Sequence, residues 1–192
     1  MTSLPSAVIL YGPPAAGKDT ITQALADLEA GYAQFRRLKV GSGKTDSYRM
    51  GSAEELAALE EAGQVIYSNS RYGNVYVVDQ PGLDEMVAAG LTPVLHLGQI
   101  DGVQAVIDAY PARWTTVLLW CTREETATRS AGRGDADTEA RLAAWQATQE
   151  DVDAHPDQEW DLVVQTGDHS PAKVAQVISQ RVRASSRAGN NS

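Results

Sequence analysis

The sequence predicts an α/β domain: a parallel sheet covered by helices on both faces, with an inserted subdomain and a lid. Three observations predict it. Short apolar runs alternate with stretches whose apolar residues recur at helical spacing. The first apolar run passes through a Gly/Pro-rich turn directly into a helical pattern. A stretch rich in tyrosine and basic residues then interrupts the alternation from about residue 33 to residue 79.

The elements follow in order. Residues 7–11 form a short apolar run, read as a buried strand, and residues 18–30 carry Ile21, Ala24, Leu25 and Leu28 at helical spacing. In the inserted stretch, Arg36, Arg37, Lys39 and Lys44 cluster with Tyr48, Tyr67, Tyr72 and Tyr76. Ser52 can cap a helix over residues 52–62, with Glu55 three residues on and Gly63 to end it. Residues 65–67 and 75–78 read as short strands. The core pattern resumes with a helix at 83–89, a strand at 93–97, a helix at 103–109 and a strand at 115–120. Helices at 124–131 and 138–152 flank the loop Gly132-Arg133-Gly134-Asp135; a strand at 161–164 and a helix at 171–183, opened by Ser170 and Pro171, complete the chain. Parallel strands joined by helices imply a sheet buried on both faces. The expected organisation is one domain over residues 1–184, with its core at 1–32 and 80–184, an acceptor-binding insertion at about 33–79, a lid at about 129–142 and a disordered tail from 185.

With 192 residues and an apolar fraction of 43%, the chain has material for one substantial core. A net charge of −9 argues against a general nucleic-acid binder, although it leaves room for a local basic cleft. Cys121 is the sole cysteine, set in an apolar run, and reads as a buried structural thiol; with three histidines it makes no zinc spacing. No apolar run reaches the ~18 residues of a membrane span, and the N-terminal residues do not look like a signal peptide. A cytoplasmic monomer or homodimer without membrane association is the expectation.

Residues 12–18, Gly-Pro-Pro-Ala-Ala-Gly-Lys, match the first seven positions of the Walker A pattern. Gly12 lets the chain leave the strand sharply, and Gly17 lets backbone N–H groups close on phosphate oxygens. The peptide groups of Pro14, Ala15 and Ala16 line the turn, and Lys18 can bridge β- and γ-phosphates at a helix N-terminus. The expected fold is therefore that of the P-loop NTPases, with ATP and Mg²⁺ as cofactors. The eighth position is Asp19, where Ser or Thr would ligate magnesium, and Thr20 follows. Asp19 then approaches the metal, Thr20 takes over that duty, or Asp19 is only a favourable charge at the helix start.

From residue 7 to about 182 the chain resembles the guanylate kinase family, and the Gly-Lys-Asp-Thr ending of the loop also resembles ribose 1,5-bisphosphate phosphokinases. The resemblance implies a phosphate grip at Arg36 and Lys39, with Arg37 between them, and at Tyr48 and Tyr76. It implies lid arginines at Arg129, Arg133 and Arg141. The departures fall where that family reads guanine. Tyr67 stands for a glutamate, Asp79 for a serine, and His96 for an aspartate at a strand end. Replacing an obligate acceptor by a phenol changes what the site can pair with.

The resulting expectation is a kinase that moves the γ-phosphate of ATP to a phosphorylated small molecule other than GMP, such as a modified nucleotide, bound by Arg36, Arg37, Lys39, Tyr48, Tyr67, Tyr76, Asp79 and His96. Lys18, Arg129, Arg133 and Arg141 neutralise the transferred charge. The alternatives are a sugar-phosphate or hydroxyl kinase using Asp79 or His96 as base, a kinase of modified nucleic acid, and an inactive binding module.

Overall fold

The computed structural model describes residues 4–43, 45–71, 73–132 and 138–188. Five parallel strands form the main sheet in the order β2-β7-β1-β8-β9: β1 (Ser6–Tyr11), β2 (Tyr32–Gln34), β7 (Thr92–Leu97), β8 (Arg113–Trp120) and β9 (Leu162–Gln165). β1 is central, and its residues 7–11 are fully buried. Alternation sorts them by face. Val8 and Leu10 join Val117 and Leu119 beneath α1 (Lys18–Leu28) and α7 (Pro171–Ala188). Ile9 and Tyr11 join Leu95, Leu97 and Leu118 under α3 (Gln80–Ala88) and α4 (Ile100–Ala109). Each such side chain contributes about 1.5–3 kcal/mol by burial, so the strand that delivers the phosphate loop is among the most firmly held parts of the fold. The two-faced burial matches the expected α/β class.

The insertion folds as a second sheet, β4-β3-β6-β5, built from β3 (Leu38–Val40), β4 (Arg49–Gly51), β5 (Val65–Arg71) and β6 (Asn74–Asp79), with α2 (Ala53–Glu61) between β4 and β5. Ser52 caps α2 as expected, its Oγ accepting from Glu55 N–H at 3.1 Å. Helices α5 (Arg123–Gly132) and α6 (Thr138–Ala154) lie either side of residues 133–137, within the stretch expected to form a lid.

Several boundaries differ from the sequence reading. β2 belongs to the main sheet, so Ala33 and Gln34 leave the insertion. α3 begins three residues early because the Asp79 carboxylate caps it, accepting from Gly82 N–H at 2.9 Å, with Pro81 in the first turn. α4 also begins three residues early, at Ile100. The last helix runs to Ala188 instead of fraying after Ala184, helped by Ser186, whose hydroxyl donates to Val182 O and meets Ser6 Oγ at 2.9 Å. Among the described residues no helix is long and apolar enough to cross a membrane.

Candidate active site

The phosphate loop follows β1 as its sequence requires. Gly12 has φ 150, and a Cβ there would sit 2.0 Å from the Leu119 carbonyl oxygen on the neighbouring strand. Gly17, at φ 88, is the left-handed N-cap of α1 and offers no side-chain cap. The first N–H groups of α1 are therefore left without a side-chain partner, as an anion site needs. Lys18 Nζ donates to Gly12 O at 2.6 Å and Pro13 O at 3.0 Å, which holds it over the loop. Burial lowers its pKa to about 8, with the Asp19 carboxylate opposing the shift. Cys121 is buried beside Thr126 (3.3 Å), and burial raises its thiol, as expected of a structural cysteine.

Asp19 and Thr20 diverge. The Asp19 side chain is 81% exposed, with Oδ1 3.4 Å from His96 Nδ1. Thr20 lines a cleft of about 170 Å³ with Gly17, Arg129, Thr166 and His169. The Thr22 hydroxyl donates to Lys18 O at 2.9 Å, so at 2.7 Å from His96 Nε2 it accepts the imidazole N–H. His96 Nδ1 then carries a lone pair. Burial lowers the His96 pKa to about 4, Asp19 opposing and Lys18 and Arg37 reinforcing, so the ring is neutral near pH 7. The Gln34 Nε2 amide lies 3.4 Å from that lone pair and can donate to it, with the Asp19 carboxylate alongside. As an exposed hard oxygen donor in the first turn of α1, Asp19 fits a role beside a hydrated Mg²⁺ bound largely by phosphates. Among the described residues no cluster of three or more His, Cys, Asp or Glu makes a self-sufficient metal site.

A second cavity, about 700 Å³, opens on the other side of Lys18. Its wall is one face of the small sheet, built by period-2 alternation. Tyr67, Asn69 and Arg71 alternate along β5, and Tyr76 pairs with both Asn69 and Lys39 across the sheet. Tyr48 and Tyr76 meet at 5.1 Å between ring centroids. Lys39, only 2% exposed, lies 5.5 Å and 5.8 Å from the centres of those rings. Arg37 stacks over Tyr76 at 5.3 Å and donates to Asn69 Oδ1 at 3.2 Å. The Tyr67 ring packs on Gly102, and its hydroxyl donates to Gln99 Oε1 at 2.6 Å. The opposite wall includes Asp151 of α6, whose Oδ2 accepts from Tyr11 Oη at 2.7 Å and Ile100 N–H at 2.9 Å.

The structure thus gathers Arg37, Tyr48, Tyr67 and Tyr76 with Lys18. Four expected residues fall elsewhere: His96, held against Thr22 outside the lining, and three more. Arg36 is exposed and bound to the Asp46 carbonyl; Arg37, one residue on, takes the inward place. Lys39 lies under the tyrosine rings and is not part of the lining. Asp79 is 1% exposed, caps α3 and pairs with Arg49, so it corrects to a structural carboxylate with no room to act as a base. Arg129 donates to Ala15 O at 3.0 Å and Thr166 Oγ1 at 3.1 Å and lines the smaller cleft. Arg141 lies in the first turn of α6, outside both linings, and Arg133 falls outside the described residues. Sequence reasoning missed Asn69, Arg71, Gln99, Gly102 and Asp151. The alternation Tyr67-x-Asn69-x-Arg71 signalled the first two.

The chain resembles two solved structures. One is guanylate kinase from Anaplasma phagocytophilum, at TM-score 0.63 and 18% identity over 96% of this chain and 87% of that one. The other is shikimate kinase from Acinetobacter baumannii in complex with shikimate, at TM-score 0.49 and 16% identity over 94% of each. At such identity the first likeness is one of fold. No curated protein matches the sequence. A family model described as chloramphenicol phosphotransferase-like protein matches residues 6–183, so the chain belongs to the chloramphenicol phosphotransferase-like family of P-loop phosphotransferases.

Proposed function

We propose that this phosphotransferase moves the γ-phosphoryl group of ATP onto a small, phosphorylated acceptor other than GMP, with a modified or non-guanine nucleotide as the class that fits best. The observation that carries the reading is the 700 Å³ cavity: in a chain of net charge −9, its lining puts Lys18, Arg37 and Arg71 beside three tyrosines, against the single carboxylate of Asp151. Such a concentration of donors favours an anionic ligand with a flat, stackable ring. The small sheet then serves as the acceptor-binding subdomain, and the cleft at Thr20, Arg129 and His169 as the nucleoside side of the donor site.

A phosphate monoester is already an anionic nucleophile, so the chain's task is to position it and neutralise charge. Lys18 sits between the phosphate loop and the cavity and is suited to follow the migrating phosphoryl group. Arg129 braces the loop through Ala15; Arg133 and Arg141 remain the lid candidates. Asp19 would hold Mg²⁺, which supplies charge neutralisation at the phosphates.

A second reading, a hydroxyl acceptor, is favoured by the family description and by Asp151 in the lining. With Asp79 tied to Arg49 and His96 a weak base, Asp151 is the remaining lining carboxylate that could accept a hydroxyl proton. The test is an ATP-consumption screen over nucleoside monophosphates, modified nucleotides, sugar phosphates and chloramphenicol, repeated with Asp151→Asn. Turnover confined to phosphorylated acceptors and retained in Asp151→Asn supports the proposal. Turnover of an uncharged alcohol, lost in Asp151→Asn, replaces it with the second reading.

A further inference from the structure

The hydrogen bonds inside the acceptor cavity orient its two amides, and this has a consequence for the ligand: Arg37 can only donate and so fixes Asn69, while the Tyr67 hydroxyl is turned to donate to Gln99. Arg37 has no acceptor atom, so the Asn69 oxygen must face it, at 3.2 Å from Nη1. The Asn69 NH₂ is turned away from Arg37, and among the described residues no protein acceptor engages it. Gln99 repeats the arrangement. Its Oε1 takes the Tyr67 hydroxyl at 2.6 Å, and its NH₂ has no protein acceptor among the described residues. The Tyr67 ring packs against Gly102, and burial raises its pKa, so the hydroxyl keeps the proton it donates.

The side chains lining the cavity are therefore heavily biased towards donors. Lys18, Arg37 and Arg71 can only donate, and both amides offer N–H. The one carboxylate is already engaged: Asp151 Oδ2 receives two hydrogen bonds and Oδ1 lies 3.3 Å from His155 Nδ1. The remaining side-chain acceptors are the hydroxyl oxygens of Ser70, Thr148 and the tyrosines and the second lone pairs of the two amide oxygens. A ring with exocyclic amino groups would bring N–H against N–H at Asn69 and Gln99, whereas one with oxo groups would satisfy both amides.

We propose that the acceptor carries a planar ring whose recognised edge presents oxo oxygens, and that Asn69 and Gln99 select it against amino-substituted rings. The inference rests on the reading of this cavity as the acceptor site. It adds the polarity of the ring to the charge of the ligand.

The experiment uses the full chain and two pairs of nucleoside monophosphates matched in phosphate and sugar, UMP with CMP and IMP with AMP, titrated calorimetrically in the presence of a non-hydrolysable ATP analogue. The expected result is at least ~10-fold tighter binding of the oxo member of each pair, the scale of one unsatisfied buried donor. Asn69→Asp and Gln99→Glu keep the oxygen that Arg37 or Tyr67 needs while replacing the amide donor by an acceptor. Each should shrink or invert the preference, with melting temperature and ATP-analogue affinity as controls of the fold. Equal affinity within both pairs, with each nucleotide binding more tightly than its nucleoside, overturns the oxo selection and leaves the phosphorylated-acceptor reading intact. Failure of all four nucleotides to bind more tightly than their nucleosides overturns both.

Discussion

Gly102→Ala separates acceptor recognition from stability, because the two should move in opposite directions. Gly102 lies in the first turns of α4, where alanine is favoured over glycine by up to ~1 kcal/mol. A Cβ there would meet Tyr67 Cε1 at 2.7 Å and Cζ at 2.8 Å, whereas ordinary contact begins at 3.4 Å. The ring must retreat by about 0.7 Å (3.4 − 2.7), and its 2.6 Å hydrogen bond to Gln99 loosens. Losing one hydrogen bond costs ~0.5–1.5 kcal/mol, so kcat/KM for the acceptor should fall about 3–10-fold. KM for ATP should not change, since Gly102 is remote from the lining of the Thr20 cleft. Steady-state kinetics with each substrate varied in turn, alongside thermal melts, checks this. The reasoning is refuted if acceptor kcat/KM is unchanged in Gly102→Ala, or if both substrates lose equally, which would mean that the ring does not read the acceptor.

Other expectations follow from the same geometry. Lys18→Ala should lower turnover at least ~100-fold with the melting temperature retained, the scale of a lost transition-state charge partner; near-normal turnover would remove the phosphate-loop reading. Asp19→Ser should stay active and shift the preference between Mg²⁺ and Mn²⁺ in metal titrations, whereas Asp19→Ala with unaltered metal dependence would reduce Asp19 to a helix-start charge. Gly12→Ala should destabilise by ~3 kcal/mol or more in denaturant melts, because its Cβ would meet a backbone oxygen at 2.0 Å. Asp161 contributes an acid-sensitive term. Burial tends to raise its pKa, but hydrogen bonds from the Thr116 N–H, Arg181 and the Thr116 hydroxyl hold it below the usual value of 3.8. Its stabilisation is complete above that value and is lost as pH falls through the lower folded pKa, so Asp161→Asn should flatten the melting temperature below about pH 4.

The phosphate loop was legible in the sequence because backbone sterics dictate its residues. A glycine is the residue that fits 2.0 Å from Leu119 O, and Gly17 must turn left-handed at the helix start. The main strands were legible through their apolar runs, and α2 through Ser52. The three-residue strands β2, β3 and β4 were not, since so few residues show no period. That limit is why Arg36 and Arg37 could not be told apart: which of two adjacent arginines faces the cavity depends on β3 pairing Lys39 with Tyr76. The role of Asp79 was within reach, because an aspartate before Gln80-Pro81-Gly82 is also a helix start. Gln99 and Asp151 acquire their roles only through partners 32 and 140 residues away.

The same contrast explains how one chain can resemble guanylate kinases closely at the phosphates yet match a different family from residue 6 to 183. The strand, loop and helix that hold phosphate act through backbone N–H groups and close glycine contacts, which leave almost no freedom of sequence. The wall proposed for the acceptor is a face of a small sheet, where each inward side chain can change without disturbing the backbone ladder that carries it. Here Tyr67, Asn69 and Arg71 occupy that face. The acidic groups that a guanine reader would use are absent from it, and Asp79, the one nearby in sequence, has been drawn into the fold by Arg49 and Gly82. On the proposed reading, the loop that holds the donor phosphates and the face that reads the acceptor are separable parts of the molecule. Substitutions at Asn69 or Gln99 should alter which acceptor is used without altering how the phosphoryl group is moved.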